Sequence, residues 1–385
     1  MKAGWQSKNL AEVLLKTETV NPHLKPEVEF EYIDVSSVSN QTFQIEETQL
    51  LKGKDAPSRA RKLVKTDDIL FATIRPTLQR IAIIPAELNN QVCSTGYFVL
   101  RPNQNINFKY LYFYLFSDYF MGQMEALQKG ASYPAVTDNE VKSQTINFPP
   151  IQQQQRIVAI LDEAFEQIAV ARANTEKNLQ NARALFESHL QSAFGQRGNG
   201  WIRQKLGEVV TLDKIQHKPS KPLPYVGMED IESNTGNFLG RHEPKKVKSS
   251  TFYFNDTHVI YGRLRPYLNK VMLPDFEGHC STEVFPLKPC HKIDRKFLFF
   301  WLALNSTKEL INATCTGARM PRANMNDVLE FDFYYPELAS QKKLVLILEA
   351  LSLETQCLES LYQRKLTALD DLKKSLLQKA FAGEL

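Results

Sequence analysis

The chain lacks an apolar run long enough to cross a bilayer. Its longest, YLYFYLF (110–116) and FLFFWLAL (297–304), fall far short of the roughly 18 residues a membrane helix needs. It lacks a C-x-x-C pair. The five cysteines, Cys93, Cys280, Cys290, Cys315 and Cys357, are odd in number and read as free thiols of a reducing compartment. It lacks a charged-then-apolar leader, because Gln6, Lys8, Asn9 and Glu12 interrupt any such pattern. A cytoplasmic protein is the expectation. No G-x-x-x-x-G-K-[ST] loop is present, which excludes a P-loop motor. Nor is there an excess of one charge: 47 Lys and Arg face 43 Asp and Glu, for a net of +4. That balance argues for an anionic partner only where basic residues cluster. Proline and glycine are both missing from 151–194 and from 338–382, and two such long stretches invite comparison.

The comparison extends along the whole chain. HLQSAF (189–194) is echoed by LLQKAF (376–381), Gly4-Trp5 by Gly200-Trp201, and Tyr32-Ile33 by Tyr225-Val226. ATIRPTLQR (72–80) matches GRLRPYLNK (262–270), and Cys93-Ser94-Thr95 returns as Cys280-Ser281-Thr282. From there the offset stays at 187: Gly130 with Gly317, Pro134 with Pro321, Asn139 with Asn326, Pro149 with Pro336 and Phe194 with Phe381. Two copies of one unit make up the 385 residues, a length that suits two or three domains.

Each copy has two parts. The first, 1–149 and 197–336, mixes short strand-like stretches such as RIAIIPAEL, TGYFVLRP and KVMLP with Pro, Gly and Asn turns. KYLYFYLFSDYFMGQM and KFLFFWLALNSTKELI read as buried helices within it. The second part, 150–196 and 337–385, starts after a proline, as helices do. Leu344, Leu348, Leu351, Leu358, Tyr362, Leu366, Leu369, Leu372 and Leu376 follow the three- and four-residue steps of a coiled-coil seam. Ile157, Leu161, Ala164, Ala171, Thr175, Leu179, Ala182 and Leu185 hold the corresponding sites. At about 1.5 Å per residue, each helix would extend roughly 60 Å or more. The expected fold is α+β: two similar globular domains joined by two long antiparallel coiled-coil helices, an internal pseudo-twofold repeat able to grip two sites on something elongated.

On three stretches the chain resembles the specificity subunit of a Type I restriction-modification system. They are PPIQQQQRIVAILDE (149–163), GASYPAVTDNEV (130–141) with its repeat GARMPRANMNDV (317–328), and the terminal LLQKAFAGEL. The resemblance implies that the globular parts are target recognition domains, each reading half of a bipartite double-stranded DNA sequence. It implies that the helices set the unread gap and dock two adenine methyltransferase subunits, with two restriction-translocase subunits able to join. S-adenosylmethionine, ATP and Mg then belong to those partners, and this chain is non-catalytic and carries no cofactor. The two arginines of GARMPRANM, against GASYPAVTD, point to an asymmetric target.

Duplex binding needs cations for phosphates and hydrogen-bonding side chains for base edges. In the first domain the candidates are Lys54, Arg59 and Arg61, with Arg75, Thr77, Gln79 and Arg80 around the Arg-Pro turn and Ser132 and Tyr133 after Gly130. In the second they are Lys245, Lys246 and Lys248, then Arg263, Arg265, Tyr267, Asn269 and Lys270, then Arg319 and Arg322 after Gly317. The 59–65 and 241–248 runs read equally as solvated loops, and Arg75 and Arg265 fit equally a contact to a neighbouring carboxylate or carbonyl.

Three catalytic or metal readings are weaker. NFPPI (147–151) has no proline directly after its asparagine and reads as a turn into a helix, not an adenine-binding loop. Asp275, Asp294 and Lys296 match the spacing of a Mg²⁺-dependent nuclease, but Asn107 stands at the Asp294 position of the first copy. His279, Cys280, Cys290 and His291 lack the usual zinc spacing, and a buried Cys-Ser-Thr strand is the better reading.

Overall fold

The computed structural model describes residues 4–216, 222–317 and 319–385. Contacts divide the chain into two compact units: one runs to Thr175 and adds Arg364–Leu385, and the other is Glu176–Gln363. The first long helix, Ile151–Gly195, and the second, Leu338–Ala382, are therefore each shared between units.

In unit 1 a four-stranded sheet runs in the order Gln49–Lys52, Glu29–Ile33, Val92–Ser94, Ala60–Leu63. A three-stranded sheet runs Ile81–Ile83, Ile69–Ala72, Tyr97–Leu100, and Gln6–Asn9 pairs with Thr145–Phe148. Unit 2 repeats the plan. Tyr225–Val226, Gly278–Ser281 and Thr251–Phe254 form one sheet. Val210–Leu212, Val284–Pro289, Val259–Gly262 and Val271–Met272 form another, and Ile202–Lys205 pairs with Asp332–Tyr335. Even the parallel pairing recurs: Tyr32 and Ile33 lie on Val92 and Cys93, and Tyr225 and Val226 lie on His279 and Cys280.

The Cys-Ser-Thr segments thus contribute buried strands, and both Cys93 and Cys280 are fully covered. Burial pushes the Cys93 thiol up to about 12, so it stays protonated and inert. His279 places Nε2 2.9 Å from the Lys245 carbonyl and Nδ1 3.1 Å from Thr251 Oγ1. The Cys280 thiol donates to the Val284 carbonyl. Among the described residues no His, Cys, Asp and Glu group is arranged to hold a metal.

The aromatic stretches are helical but broken. Phe108–Tyr114 ends before Ser117, whose hydroxyl caps Asp118–Leu127 by accepting from Phe120 N–H. In unit 2 an extended Leu304 separates Arg295–Ala303 from Asn305–Ala313. Side-chain caps satisfy the first N–H groups of a helix, so a serine inside an apolar run can restart one.

Each unit closes its core with the start of one long helix and the end of the other. Ile157, Val158 and Leu161 join Leu377 and Ala380 in unit 1, while Val345 and Leu348 join Leu190 and Phe194 in unit 2. Phe381 stands edge-on to Tyr110 at 5.2 Å, and Phe194 tilts against Phe297 at 4.8 Å. Within each unit the helices run antiparallel. Arg172 meets Asp370 in unit 1, and Arg183 Nε reaches Glu359 at 2.8 Å in unit 2. The expected seam needs correction at Leu185, Leu358 and Leu372, which are 61%, 41% and 47% exposed. Phe186 packs against the core instead of Leu185. No helix among the described residues is long and apolar enough to cross a membrane.

Candidate nucleic-acid interface

In both units the Arg-Pro turn is a tight frame with two left-handed residues. Arg75 and Gln79 have φ of 49° and 54°, and Arg265 and Asn269 have 52° and 44°. Left-handed non-glycine backbone costs about 1–2 kcal/mol per residue. Its recurrence at equivalent sites therefore marks a geometry the fold holds in place. The holding bond is visible: Arg75 N–H donates to the Pro134 carbonyl at 2.6 Å, and Arg265 N–H to that of Pro321 at 2.7 Å.

Those prolines close a second loop. Lys129 and Ala135 exchange two backbone hydrogen bonds, as do Thr316 and Arg322. Gly130 and Gly317 turn these loops with φ of +108° and +91°, and a Cβ on Gly130 would stand 3.0 Å from the Tyr133 carbonyl oxygen. Turn and loop together form an exposed ridge. In unit 1 it shows Arg75, Thr77, Leu78, Ser132 and Tyr133, the last 71% exposed. The Arg75 guanidinium lies 4.9 Å from the Tyr133 ring centroid and donates to the Ser132 carbonyl at 3.2 Å. In unit 2 the ridge shows Arg265, Tyr267, Arg319 and Met320.

Several residues expected at the interface do interior work instead. Arg80 donates to the Ser36 and Val38 carbonyls. Lys270 Nζ donates to the Met228 carbonyl at 2.6 Å. Asn269 is 4% exposed and donates to the Ala303 carbonyl at 2.8 Å. A cation seated on a carbonyl inside its own domain must break that bond to meet a phosphate, and a buried amide has no access to one, so Arg80, Lys270 and Asn269 fit a turn-stabilising role. Gln79 is half-buried at the end of its turn. In the basic runs, Lys54 pairs with Glu27 at 3.3 Å, and the half-buried Arg61 donates to the Ala60 carbonyl. Arg59, Lys246 and Lys248 are exposed, and the Lys245 ammonium lies 5.0 Å from the Tyr225 ring centroid.

Glu283 carries no signal in the sequence, because Gly96 occupies its place in the first copy. Its two carboxylate oxygens accept from Arg263 Nε at 3.0 Å and Arg322 Nε at 2.9 Å. Burial alone would raise this carboxyl, but the Arg322 and Arg263 hydrogen bonds outweigh it and hold it below the usual carboxylate range. One anion thus orients two guanidiniums at the base of the ridge.

The nuclease pattern dissolves in the structure. Asp294 is the N-cap of Arg295–Ala303, accepting from Lys296 N–H at 2.9 Å and Phe297 N–H at 3.1 Å. Lys296 is paired with Glu349. Asn107 caps Phe108–Tyr114 in the same way, and Asp and Asn serve equally well there.

The fold defines a protein of two repeated α+β units, each presenting an exposed loop surface on a hydrogen-bonded backbone frame. A family model described as the Type I restriction modification DNA specificity domain matches residues 2–181 and again 199–364, and the chain belongs to that family. It is 30% identical over 194 residues to the Type I restriction enzyme EcoDI specificity subunit of Escherichia coli, covering 49% of this chain and 43% of that protein. It is 32% identical over 162 residues to the HindI specificity subunit of Haemophilus influenzae, covering 41% and 34%. Each match thus spans less than half the relative's own length. Among solved structures, a chain from "Structural basis underlying complex assembly and conformational transition of the type I R-M system" aligns at a TM-score of 0.89 and 26% identity, over 100% of this chain and 99% of that one. The crystal structure of the HsdS subunit from Thermoanaerobacter tengcongensis aligns at 0.67 and 26%, over 100% and 98%.

Proposed function

We propose that the chain is a non-catalytic DNA-recognition subunit of a Type I restriction-modification complex, working in the cytoplasm. Each ridge reads one half of a bipartite, asymmetric duplex target. The long helices set the unread gap between the halves and dock two methyltransferase subunits, to which restriction-translocase subunits can be added. S-adenosylmethionine, ATP and Mg act in those partners.

The observation that carries this reading is the pair of ridges: one backbone frame, two different sets of exposed side chains. A frame that repeats while its outward residues change suits a surface that reads two different half-sites. Arginine at a base edge can read guanine O6 and N7, and each such contact discriminates by about 1–3 kcal/mol. Docking on the helices is supported by apolar side chains left in solvent on the second one, where Leu346, Ile347 and Leu353 are each more than half exposed.

Mapping methylated adenines across a genome, with and without the chain beside its methyltransferase partner, tests the proposal. The expected result is a two-part motif of unequal halves and fixed spacing that appears only with the chain. A continuous or palindromic motif, or none, would overturn it.

A further inference from the structure

The family reading leaves unexplained two fully buried glutamines, one at the start of each long helix. Gln154 and Gln341 are both 0% exposed. Gln154 Oε1 accepts from the Asn107 backbone N–H at 2.8 Å, while Nε2 donates to the Asn105 carbonyl at 2.9 Å and the Pro149 carbonyl at 2.8 Å. Gln341 repeats all three bonds: Oε1 accepts from Asp294 N–H at 2.8 Å, and Nε2 donates to the Lys292 and Pro336 carbonyls at 2.9 and 2.8 Å. One amide therefore joins three backbone segments: the turn before the aromatic helix, that helix's N-cap, and the proline two residues before the long helix.

A second tie lies eight residues further along each long helix. Lys109 Nζ meets Asp162 at 2.6 Å, and Lys296 meets Glu349. Eight residues are about two turns, or about 12 Å along the axis, so both ties share one helix face. Between them Ile157, Val158 and Leu161 are buried in unit 1, and Val345 and Leu348 in unit 2. A single attachment would let a domain swivel on its helix. Two attachments separated along the axis fix a direction.

We propose that Gln154 and Gln341, each backed by its Lys–carboxylate pair, are positioning residues that lock a recognition domain at one angle on its long helix, and that this lock makes the spacing between DNA half-sites exact. The lock needs both ties: the amide is buried and satisfied by three backbone groups and is the stronger, and the ion pair, about two-fifths exposed, is the weaker, so loss of either loosens the angle. The inference rests on the two-part-target reading above.

The test uses the full chain assembled with its methyltransferase partner and a duplex library that keeps both mapped half-sites but varies the gap by single base pairs. The Gln154→Leu and Gln341→Leu variants should lose about tenfold of the preference for the native gap over its neighbours, as expected when a held geometry is loosened, with half-site preferences unchanged. A wild-type complex without gap preference overturns the two-part reading itself. Folded glutamine variants with wild-type gap preference and half-site reading overturn the lock alone. If the leucine variants fail to fold, Lys109→Met and Asp162→Glu decide: the first should broaden the gap profile and the second, which copies the Lys–Glu pair of unit 2, should not. Identical profiles from those two overturn the lock.

Discussion

The two units agree where they are buried and disagree where they are exposed. Their glutamine clamps match bond for bond within the same distances, and their left-handed turns differ in φ by only a few degrees at the arginine. Beyond the shared arginine the exposed side chains of the ridges differ: Thr77, Ser132 and Tyr133 in unit 1 stand where unit 2 has Tyr267, Arg319 and Met320. Unit 1 stacks Arg75 on Tyr133, while unit 2 fixes Arg263 and Arg322 on Glu283. Dense packing and obligatory backbone hydrogen bonds restrict a buried site to few solutions. A solvated loop tip is free to vary. The fold thus keeps one buried frame in both units and varies the surface above it, which suits the proposed division between holding and reading.

The largest expected effect concerns holding. Replacing Gln154 or Gln341 with leucine leaves a buried carbonyl, and a part-buried N–H and carbonyl, without their partner. Each such group costs about 1–3 kcal/mol, so a loss of about 3 kcal/mol or more is expected from either change. Urea unfolding of the two variants should give losses equal within about 1 kcal/mol. A clear inequality would break the equivalence of the clamps.

Next comes the aromatic that the far end of each helix inserts. Phe194 is 6% exposed beside Phe297, whereas Phe381 is only partly buried between Tyr110 and Tyr114. Truncating a buried Phe typically costs about 3–5 kcal/mol. Phe194→Ala should fall near the low end of that range, and Phe381→Ala should cost less. Thermal melting of both variants orders them, and the reverse order would show that burial is not what separates them.

The repeat was readable because its second half keeps its length: the glycines Gly130 and Gly317, the prolines Pro134 and Pro321, and Phe194 and Phe381 occupy equivalent places at a constant offset of 187. The long helices were readable because nothing in them breaks a helix. Their seam was readable only in part. Leucine fills so many positions of the second helix that steps of three and four residues can be traced on more than one face, and Leu358 fits the steps yet stands in solvent. Side-chain chemistry alone did not show which cations stay inside the domain. Arg80 and Lys270 look like phosphate ligands in sequence, and only the fold brings carbonyls of distant loops to them. Asp294 was open to a better reading. The Asp–Asn interchange with Asn107 before an apolar helix is the mark of an N-cap, not of a metal ligand.

Reading supplies a smaller and more local effect. Glu283→Gly gives unit 2 the residue that unit 1 carries at Gly96, and releases Arg263 and Arg322 from their shared carboxylate. Charge-assisted bonds of this kind hold a guanidinium in one orientation. Discrimination at a base pair in the second half-site should weaken by about 1–3 kcal/mol, with the first half-site read as before. Binding measured on duplexes substituted one base pair at a time checks this. A loss spread over both half-sites would mean that Glu283 supports the frame, contrary to the separation drawn above.

The smallest effect is a pH dependence confined to unit 1. Thr137 caps Asp138–Lys142 in a reciprocal box with Glu140, whose carboxylate accepts from Thr137 N–H at 2.7 Å and from Lys129 Nζ at 3.0 Å. These bonds, the Thr137 backbone bond first, hold the Glu140 carboxyl near 2 against an ordinary 4.5. In unit 2 the Asn324 side chain accepts from Asn326 N–H, without the reciprocal box. A carboxyl depressed in the folded state stabilises fully above its unfolded pKa and loses that contribution as pH falls through the folded value. The stability difference between wild type and Glu140→Gln should therefore be constant above about 4.5, shrink between about 4.5 and 2, and vanish below about 2. Because Glu140 is exposed to solvent, unfolding midpoints must be compared at several pH values to resolve it. A difference that persists unchanged below pH 2 would mean that the box depends on the shape of the side chain and not on its charge.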